Sequence, residues 1–277
     1  MANSNDPRPL RVAAVQMIST PRVAENLATA GRLVAEAVAQ GARLVALPEY
    51  FPIMGMTDTD KVAVREQDAE LGGGGPIQSF LAETAARYGI WLIGGSIPLT
   101  AGDPAKVMNS TVVYDPAGRR VARYDKIHLF GFQKGGEQYN ESATIEAGAT
   151  PVAFTAGDLR VGLSICYDLR FPELYRSLGA CDLLVVPAAF TETTGRAHWE
   201  ILLRARAIEN QCYVLAIGQG GRHENGRETH GNSMLIDPWG TILDRKLKGP
   251  GIVVGDVDPA FIADTRASLP ALKHRVL

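Results

Sequence analysis

Two short apolar runs end in residues able to do chemistry. LVALPE (44–49) finishes on Glu49 and VGLSIC (161–166) finishes on Cys166. In open α/β sheets ligands gather beyond the carboxyl ends of strands, so both side chains stand where a reacting group is expected. A strand–Cys–turn–helix order presents the thiol at a sharp bend, and the backbone N–H groups that follow can point at a developing oxyanion. A thiol of ordinary pKa, about 8.5, needs a neighbouring base or cation to become a nucleophile. Histidine is the usual base, yet His128, His198, His223, His230 and His274 have no compelling sequence relation to Cys166. A carboxylate and a lysine can do the same work. Glu49 would take the thiol proton and return it to a leaving amine, while Lys126 in RYDKIHLF would stabilise the thiolate and the oxyanion. Taken singly, each has a plainer reading: a core thiol, a strand-end carboxylate, a solvated hairpin lysine. Cys181 and Cys212 lie in apolar strand patterns and read as core residues.

In chain order, LPEYF around Glu49, YDKIHLF around Lys126 and ICYDLRFPE around Cys166 resemble the nitrilase (carbon–nitrogen hydrolase) superfamily, over nearly everything from Leu10 to His274. The resemblance implies an α-β-β-α sandwich, mixed sheets covered by helices, with a Glu–Lys–Cys triad on Glu49, Lys126 and Cys166. It implies that Glu141 in YNESATIEAG holds the lysine and the scissile group in position, and that the backbone N–H of Tyr167 helps bind the oxyanion. RFPELYR (170–176), TTGRAHWEILLRARAIENQCYVLA (193–216) and GNSMLIDPWG (231–240) resemble the branch containing deaminated-glutathione amidases and omega-amidases. Tyr167 stands where true nitrilases usually carry tryptophan, which favours amides over nitriles, and QGGRHENGRETHGNS leans toward the deaminated-glutathione side. The implied reaction is hydrolysis of a small carboxylate-bearing amide to acid and ammonia through a thioester, with no metal or cofactor, in a homodimer or larger assembly. Alternatives are an omega-amidase acting on alpha-ketoglutaramate, a broader aliphatic amidase or carbamoylase, and a catalytically silent scaffold. The intact Glu49, Lys126, Glu141 and Cys166 set argues against the scaffold. Arg170, close to the nucleophile, is the first candidate for the substrate carboxylate, although an ion pair with Glu173 would explain it equally. His128, Thr194 and His198 are further pocket candidates.

The elements that must position these groups alternate along the chain. Residues 11–17 read as a buried strand, and 22–40 as a helix with Val23, Leu27, Ala30, Val34 and Val38 at helical spacing and Gly41 as its stop. PIQSFLAETAARYG opens with proline at a helix start. Residues 90–98 and 110–115 read as strands, and DPAG (115–118) as a turn returning the chain into a hairpin. The second half repeats the rhythm: the strand before Cys166, a short helix ELYRSLG, DLLVVP (182–187), and an amphipathic helix at 197–210 with Ile201, Leu202, Ala205 and Ile208 on one side. QCYVLAIG, NSMLIDP, GTILDR and GIVVGDVD then read as strands before a last helix near 259–267. Arg204 and Arg206 read as structural partners of Glu200 and Glu209 on their own helix. No linker or repeat divides the chain, so residues 1–277 form a single α/β domain behind a flexible tail at 1–9.

Composition agrees. The 277 residues are 46% hydrophobic and 21% charged, which excludes a disordered chain. With 28 Lys and Arg against 30 Asp and Glu the net charge is −2, so neither nucleic acid nor an anionic membrane has an electrostatic basis as partner. Three cysteines without CxxC spacing suit a reducing compartment, and MANSNDPRPL lacks an apolar signal core, so a cytoplasmic location is expected. GGGG (72–75) lacks the rest of a phosphate-binding motif, and HENGRETH (223–230) lacks metal-ligand spacing and reads as a polar loop.

Overall fold

In the computed structural model the described residues are 8–134 and 136–276, so most of the expected tail lies outside them. Strand β1 (Leu10–Gln16) leads into helix α1 (Val23–Ala39), then β2 (Leu44–Ala46), the one-turn α2 (Asp60–Ala63) and α3 (Pro76–Tyr88). Next come β3 (Trp91–Ile93), β4 (Ile97–Thr100), β5 (Val107–Tyr114), β6 (Arg120–Asp125), the hairpin β7 (Gly131–Lys134) and β8 (Glu137–Asn140), and β9 (Ile145–Glu146). The second half holds β10 (Ala153–Ala156), β11 (Leu159–Leu163), α4 (Pro172–Ser177), β12 (Leu183–Ala188), α5 (Glu192–Asn210) and β13 (Tyr213–Gly218). It ends with β14 (Ser233–Ile236), β15 (Ile242–Lys246), β16 (Gly251–Val257) and α6 (Pro259–Ser268).

Among the described residues these strands form two large mixed sheets. One runs β16-β1-β2-β3-β5-β4, with β6 and β9 also paired to β5; the other runs β10-β11-β12-β13-β14-β15. Alternation along β1 shows how they stack. Val12 and Ala14 pack with Val161, Leu163, Val185 and Leu215 of the other sheet. Ala13 and Val15 face the opposite way, onto Leu33 and Val34 of α1 and Leu81 of α3. Trp199, Leu203 and Ala207 of α5 cover the outer face of the second sheet. The layers are therefore helix, sheet, sheet, helix. No described helix is long and apolar enough to cross a membrane.

Three local expectations need correction. The run 90–98 is not one strand: it breaks after Ile93 and resumes at Ile97. Gly95 adopts φ 55°, and a Cβ there would lie 2.1 Å from the carbonyl oxygen of Pro48. That close approach lets the segment press on the loop carrying Glu49. On α5, Ile201 and Ile208 are exposed, because Trp199, Leu203 and Ala207 fill the side that packs. The helix also starts earlier than 197, at Glu192, where the Thr191 hydroxyl accepts from the Thr194 N–H as an N-cap. The DPAG turn forms as expected, with Asp115 Oδ1 accepting from the N–H groups of Ala117 and Arg119.

Candidate active site

Glu49 lies three residues beyond β2 and Cys166 three beyond β11, so both parallel regions deliver a side chain past their carboxyl ends. Lys126 follows β6, and Glu141 opens a single 3₁₀ turn after β8. Both sheets thus contribute to one cluster. Lys126 is fully buried and its Nζ donates to Glu49 Oε1 at 2.8 Å and to Glu141 Oε2 at 2.8 Å. Glu49 Oε1 also accepts from Asn109 Nδ2 at 3.1 Å, and Glu49 Oε2 accepts from the Ala189 N–H at 2.8 Å. Glu141 accepts in addition from the Tyr50 hydroxyl at 2.8 Å and from the Phe130 N–H at 2.7 Å. Each of the four carboxylate oxygens accepts at least one hydrogen bond, as burial of charge demands.

The electrostatics follow from that geometry. Burial works against the Lys126 ammonium, but the Glu141 and Glu49 charges outweigh it and hold the lysine well above its ordinary value. Glu141 is opposed by burial as well, and its contacts with Lys126, Phe130 and Tyr50 keep it below the usual carboxylate range. For Cys166 the balance goes the other way. Burial pushes its thiol up, and Glu49 raises it further by charge and as hydrogen-bond acceptor, against the lowering effect of Lys126. The thiol is held protonated with its acceptor beside it.

Cys166 has φ 51°, a left-handed backbone, and so has Tyr50 next to Glu49, at 55°. Non-glycine residues there carry roughly 1–3 kcal/mol of strain that the surroundings must hold. The support at Cys166 is Asp168. This fully buried carboxylate accepts from the Ile165 N–H at 2.8 Å and from the Tyr124 hydroxyl at 2.7 Å on one oxygen. Its other oxygen takes the His128 N–H at 3.0 Å and the His128 ring nitrogen Nδ1 at 2.7 Å. Asp168 therefore ties the turn carrying Cys166 to the segment carrying Lys126. Arg206 clamps the same turn from α5, donating through Nη2 to the Leu169 carbonyl at 2.7 Å while also pairing with Glu209.

A narrow slot above Cys166 is lined by Phe130, Glu141, Tyr167, Phe190, Thr194 and Arg227 among others. It adjoins an outer cavity of about 400 Å³, and Phe130, Glu141 and Arg227 line both. Of the expected site residues, Glu49, Lys126, Glu141 and Cys166 come together, and Tyr167 and Thr194 line the slot. Three others stand behind its wall. The Arg170 guanidinium lies over Tyr167 at 5.6 Å and Phe190 at 5.3 Å and meets the His198 ring nitrogen at 3.2 Å. His128 stacks on Phe171 with centroids 3.7 Å apart. Sequence reasoning missed Asn109, Asp168, Lys61 and Arg227. Only Asp168 left a local signal, as an acid in the first turn of a helix, where it caps the Ile165 N–H.

Two helix-covered sheets converge on a buried carboxylate, ammonium and thiol, groups whose chemistry suits acyl transfer. Residues 11–267 match the carbon–nitrogen hydrolase family model, and the chain belongs to that family. It is 44% identical over 275 residues to the deaminated glutathione amidase of Synechocystis sp., covering 97% of this chain and 99% of that protein. It is 39% identical over 269 residues to omega-amidase NIT2 of Danio rerio, covering 96% and 94% respectively. Its structure is similar to that of Saccharomyces cerevisiae Nit3, a member of branch 10 of the nitrilase superfamily, with a TM-score of 0.86 at 27% identity over 100% of both chains.

Proposed function

We propose that this chain is a cysteine-dependent amidase acting on a small linear amide that bears a carboxylate, with deaminated glutathione the favoured substrate. The observation that carries the reading is the buried Lys126 ammonium bridging Glu49 and Glu141 beside Cys166. Cys166 Sγ attacks the amide carbonyl carbon while its proton passes to Glu49. Because the thiol is held up by burial and by Glu49, the proton leaves as the C–S bond forms. Lys126 and the Tyr167 N–H stabilise the oxyanion, and Glu141 keeps Lys126 aimed. The C–N bond then breaks, Glu49 protonates the departing nitrogen, and an acyl thioester remains on Cys166. Water deprotonated by Glu49 cleaves the thioester and regenerates the thiol. In this reading Thr194 borders the substrate, while Arg170, His198 and His128 position the aromatic wall. Residues 1–277 act as one domain, since both sheets supply the cluster.

The similarity to an omega-amidase favours a second reading, alpha-ketoglutaramate as substrate. The leaving group separates the two. Alpha-ketoglutaramate releases ammonia, the product the sequence leads one to expect, whereas deaminated glutathione has only secondary amides and must release a peptide amine in place of ammonia. The wild-type protein is expected to free that amine from deaminated glutathione, and Cys166→Ala to fall to background with an unchanged circular-dichroism spectrum. Residual turnover by Cys166→Ala would overturn the nucleophile assignment. Faster ammonia release from alpha-ketoglutaramate would select the second reading, and a folded protein inert on every amide would leave a scaffold. Alkylation of Cys166 by iodoacetamide should be slow at neutral pH and keep rising through alkaline pH. We further place the enzyme in the cytoplasm, on the strength of its three free cysteines, and in a homo-oligomer, for which the exposed Ile201 and Ile208 of α5 offer an apolar face.

A further inference from the structure

The outer cavity beside the slot carries two cations that the reaction does not use. Lys61 of α2 lines it, half-buried, with its Nζ donating to the Thr144 hydroxyl at 3.0 Å and lying 5.6 Å from the centre of the Tyr50 ring. Arg227 lines both cavity and slot. It donates through Nη2 to the Ala189 carbonyl at 2.8 Å and stands over Tyr139 at 5.1 Å, yet its buried Nε has no hydrogen-bond partner. Among the described residues neither makes an ion pair. Two carboxylates also border the cavity: Glu141, already engaged by Lys126, and Asp58, exposed at the lip, whose charge acts on Lys61. The cavity lining therefore offers two cations without an ion pair among the described residues and, among the same residues, a buried N–H without a partner, in a chain whose net charge is −2. Recognition of an acidic ligand has to be local, and this is where the charge is uncommitted. Arg170, engaged by two aromatic faces and His198, lines neither the cavity nor the slot.

We infer that Lys61 and Arg227 form a carboxylate subsite, holding the acid group of the substrate at the end remote from the amide under attack. The inference rests on the amidase reading and narrows it to acidic amides. The carboxylate belongs either to the acyl part or to the leaving amine, and paired substrates separate these. Succinamate against butyramide tests an acyl-side acid; N-butyrylglycine against N-butyrylethylamine tests an amine-side acid. A hydrogen-bonded charge pair contributes enough for Lys61→Met to raise KM for the acidic member about tenfold more than for its neutral partner. Lys61→Arg should retain most of the preference, and Arg227→Met should show the same selectivity as Lys61→Met. Binding of glutarate, followed by calorimetry, should weaken by a similar factor in Lys61→Met and recover in Lys61→Arg. This second measurement needs no turnover. If the wild type hydrolyses none of the amides but binds glutarate in a Lys61-dependent way, the amidase reading fails and the subsite stands. Equal KM changes for acidic and neutral amides, or glutarate binding unaffected by both variants, would overturn the subsite.

Discussion

Two clusters of charged side chains in the molecule have opposite stoichiometry. In the interior one cation, Lys126, serves two carboxylates, Glu49 and Glu141, and the three side chains are 0%, 1% and 12% exposed. At the start of α5 one carboxylate, Glu192, serves the two cations Arg196 and Lys248, 80% and 43% exposed, with the ring of His230, which burial disposes toward the neutral form, beside it. Ion-pair distances in the two overlap, so distance does not distinguish them. Burial does. Water screens the outer set and can replace any lost partner, whereas Glu49 is enclosed among its protein donors and Glu141 meets the cavity at one edge only. The inner cluster is also one cation short of neutrality. The outer cluster, with two cations to one carboxylate, holds Glu192 down to about 2 against the opposing effect of its partial burial.

The strongest way to break the contrast is Lys126→Met, which leaves two buried carboxylates unpaired. The expected loss is about 3–5 kcal/mol of unfolding free energy, measured by urea titration, with amidase activity at background. Adding Glu141→Gln removes one uncompensated charge and should restore part of the stability without restoring turnover. If the single variant loses no more than a surface pair would, the inner cluster is better hydrated than its burial states.

Asp168→Asn is next in size. It removes a charge that accepts four hydrogen bonds and holds the strained Cys166 turn, with amide donors replacing one carboxylate oxygen. We expect a loss of about 1–3 kcal/mol, read as a lower melting temperature, and a fall in kcat exceeding any rise in KM. An unchanged kcat in the folded variant would show that the turn keeps its shape without this support.

This support was hidden in the sequence for a physical reason. Apolar runs ending in Glu49 and Cys166 advertise themselves, because a strand needs a continuous buried stretch and an interruption by an acid or thiol stands out. The alternation of helices and strands was equally legible, since their periodicities alternate along the chain, but that the strands divide into two stacked sheets followed only from the family resemblance. Asn109, Asp168, Lys61 and Arg227 act through space: Asp168 reaches 40 residues back to His128, and Asn109 reaches 60 back to Glu49. Nothing in local spacing separates them from ordinary capping or surface groups. The left-handed backbone at Cys166 and Tyr50 is likewise invisible to propensity, since neither residue type prefers it. The packing side of α5 was misleading because the helix carries apolar residues on more than one face, and only the sheet beneath decides which is covered.

The smallest expected effect sharpens the comparison through pH. Glu192 has a folded pKa of about 2, below its ordinary value of 4.5, so its pairing contributes stability above 4.5 that fades as the pH falls toward 2. Glu192→Gln should therefore cost less than about 1 kcal/mol at pH 7, where the pairs are partly screened by water. The cost should shrink between pH 4.5 and 2, because the wild-type carboxylate becomes protonated over that window and then resembles the amide. Added salt should shrink it at neutral pH as well. The measurement is the difference in urea midpoint between wild type and variant at several pH values and ionic strengths. A difference that stays constant with both would mean that Glu192 acts through its hydrogen bonds and packing at the α5 N-terminus. The outer cluster would then owe as much to geometry as the inner one, and solvent exposure would no longer separate the two.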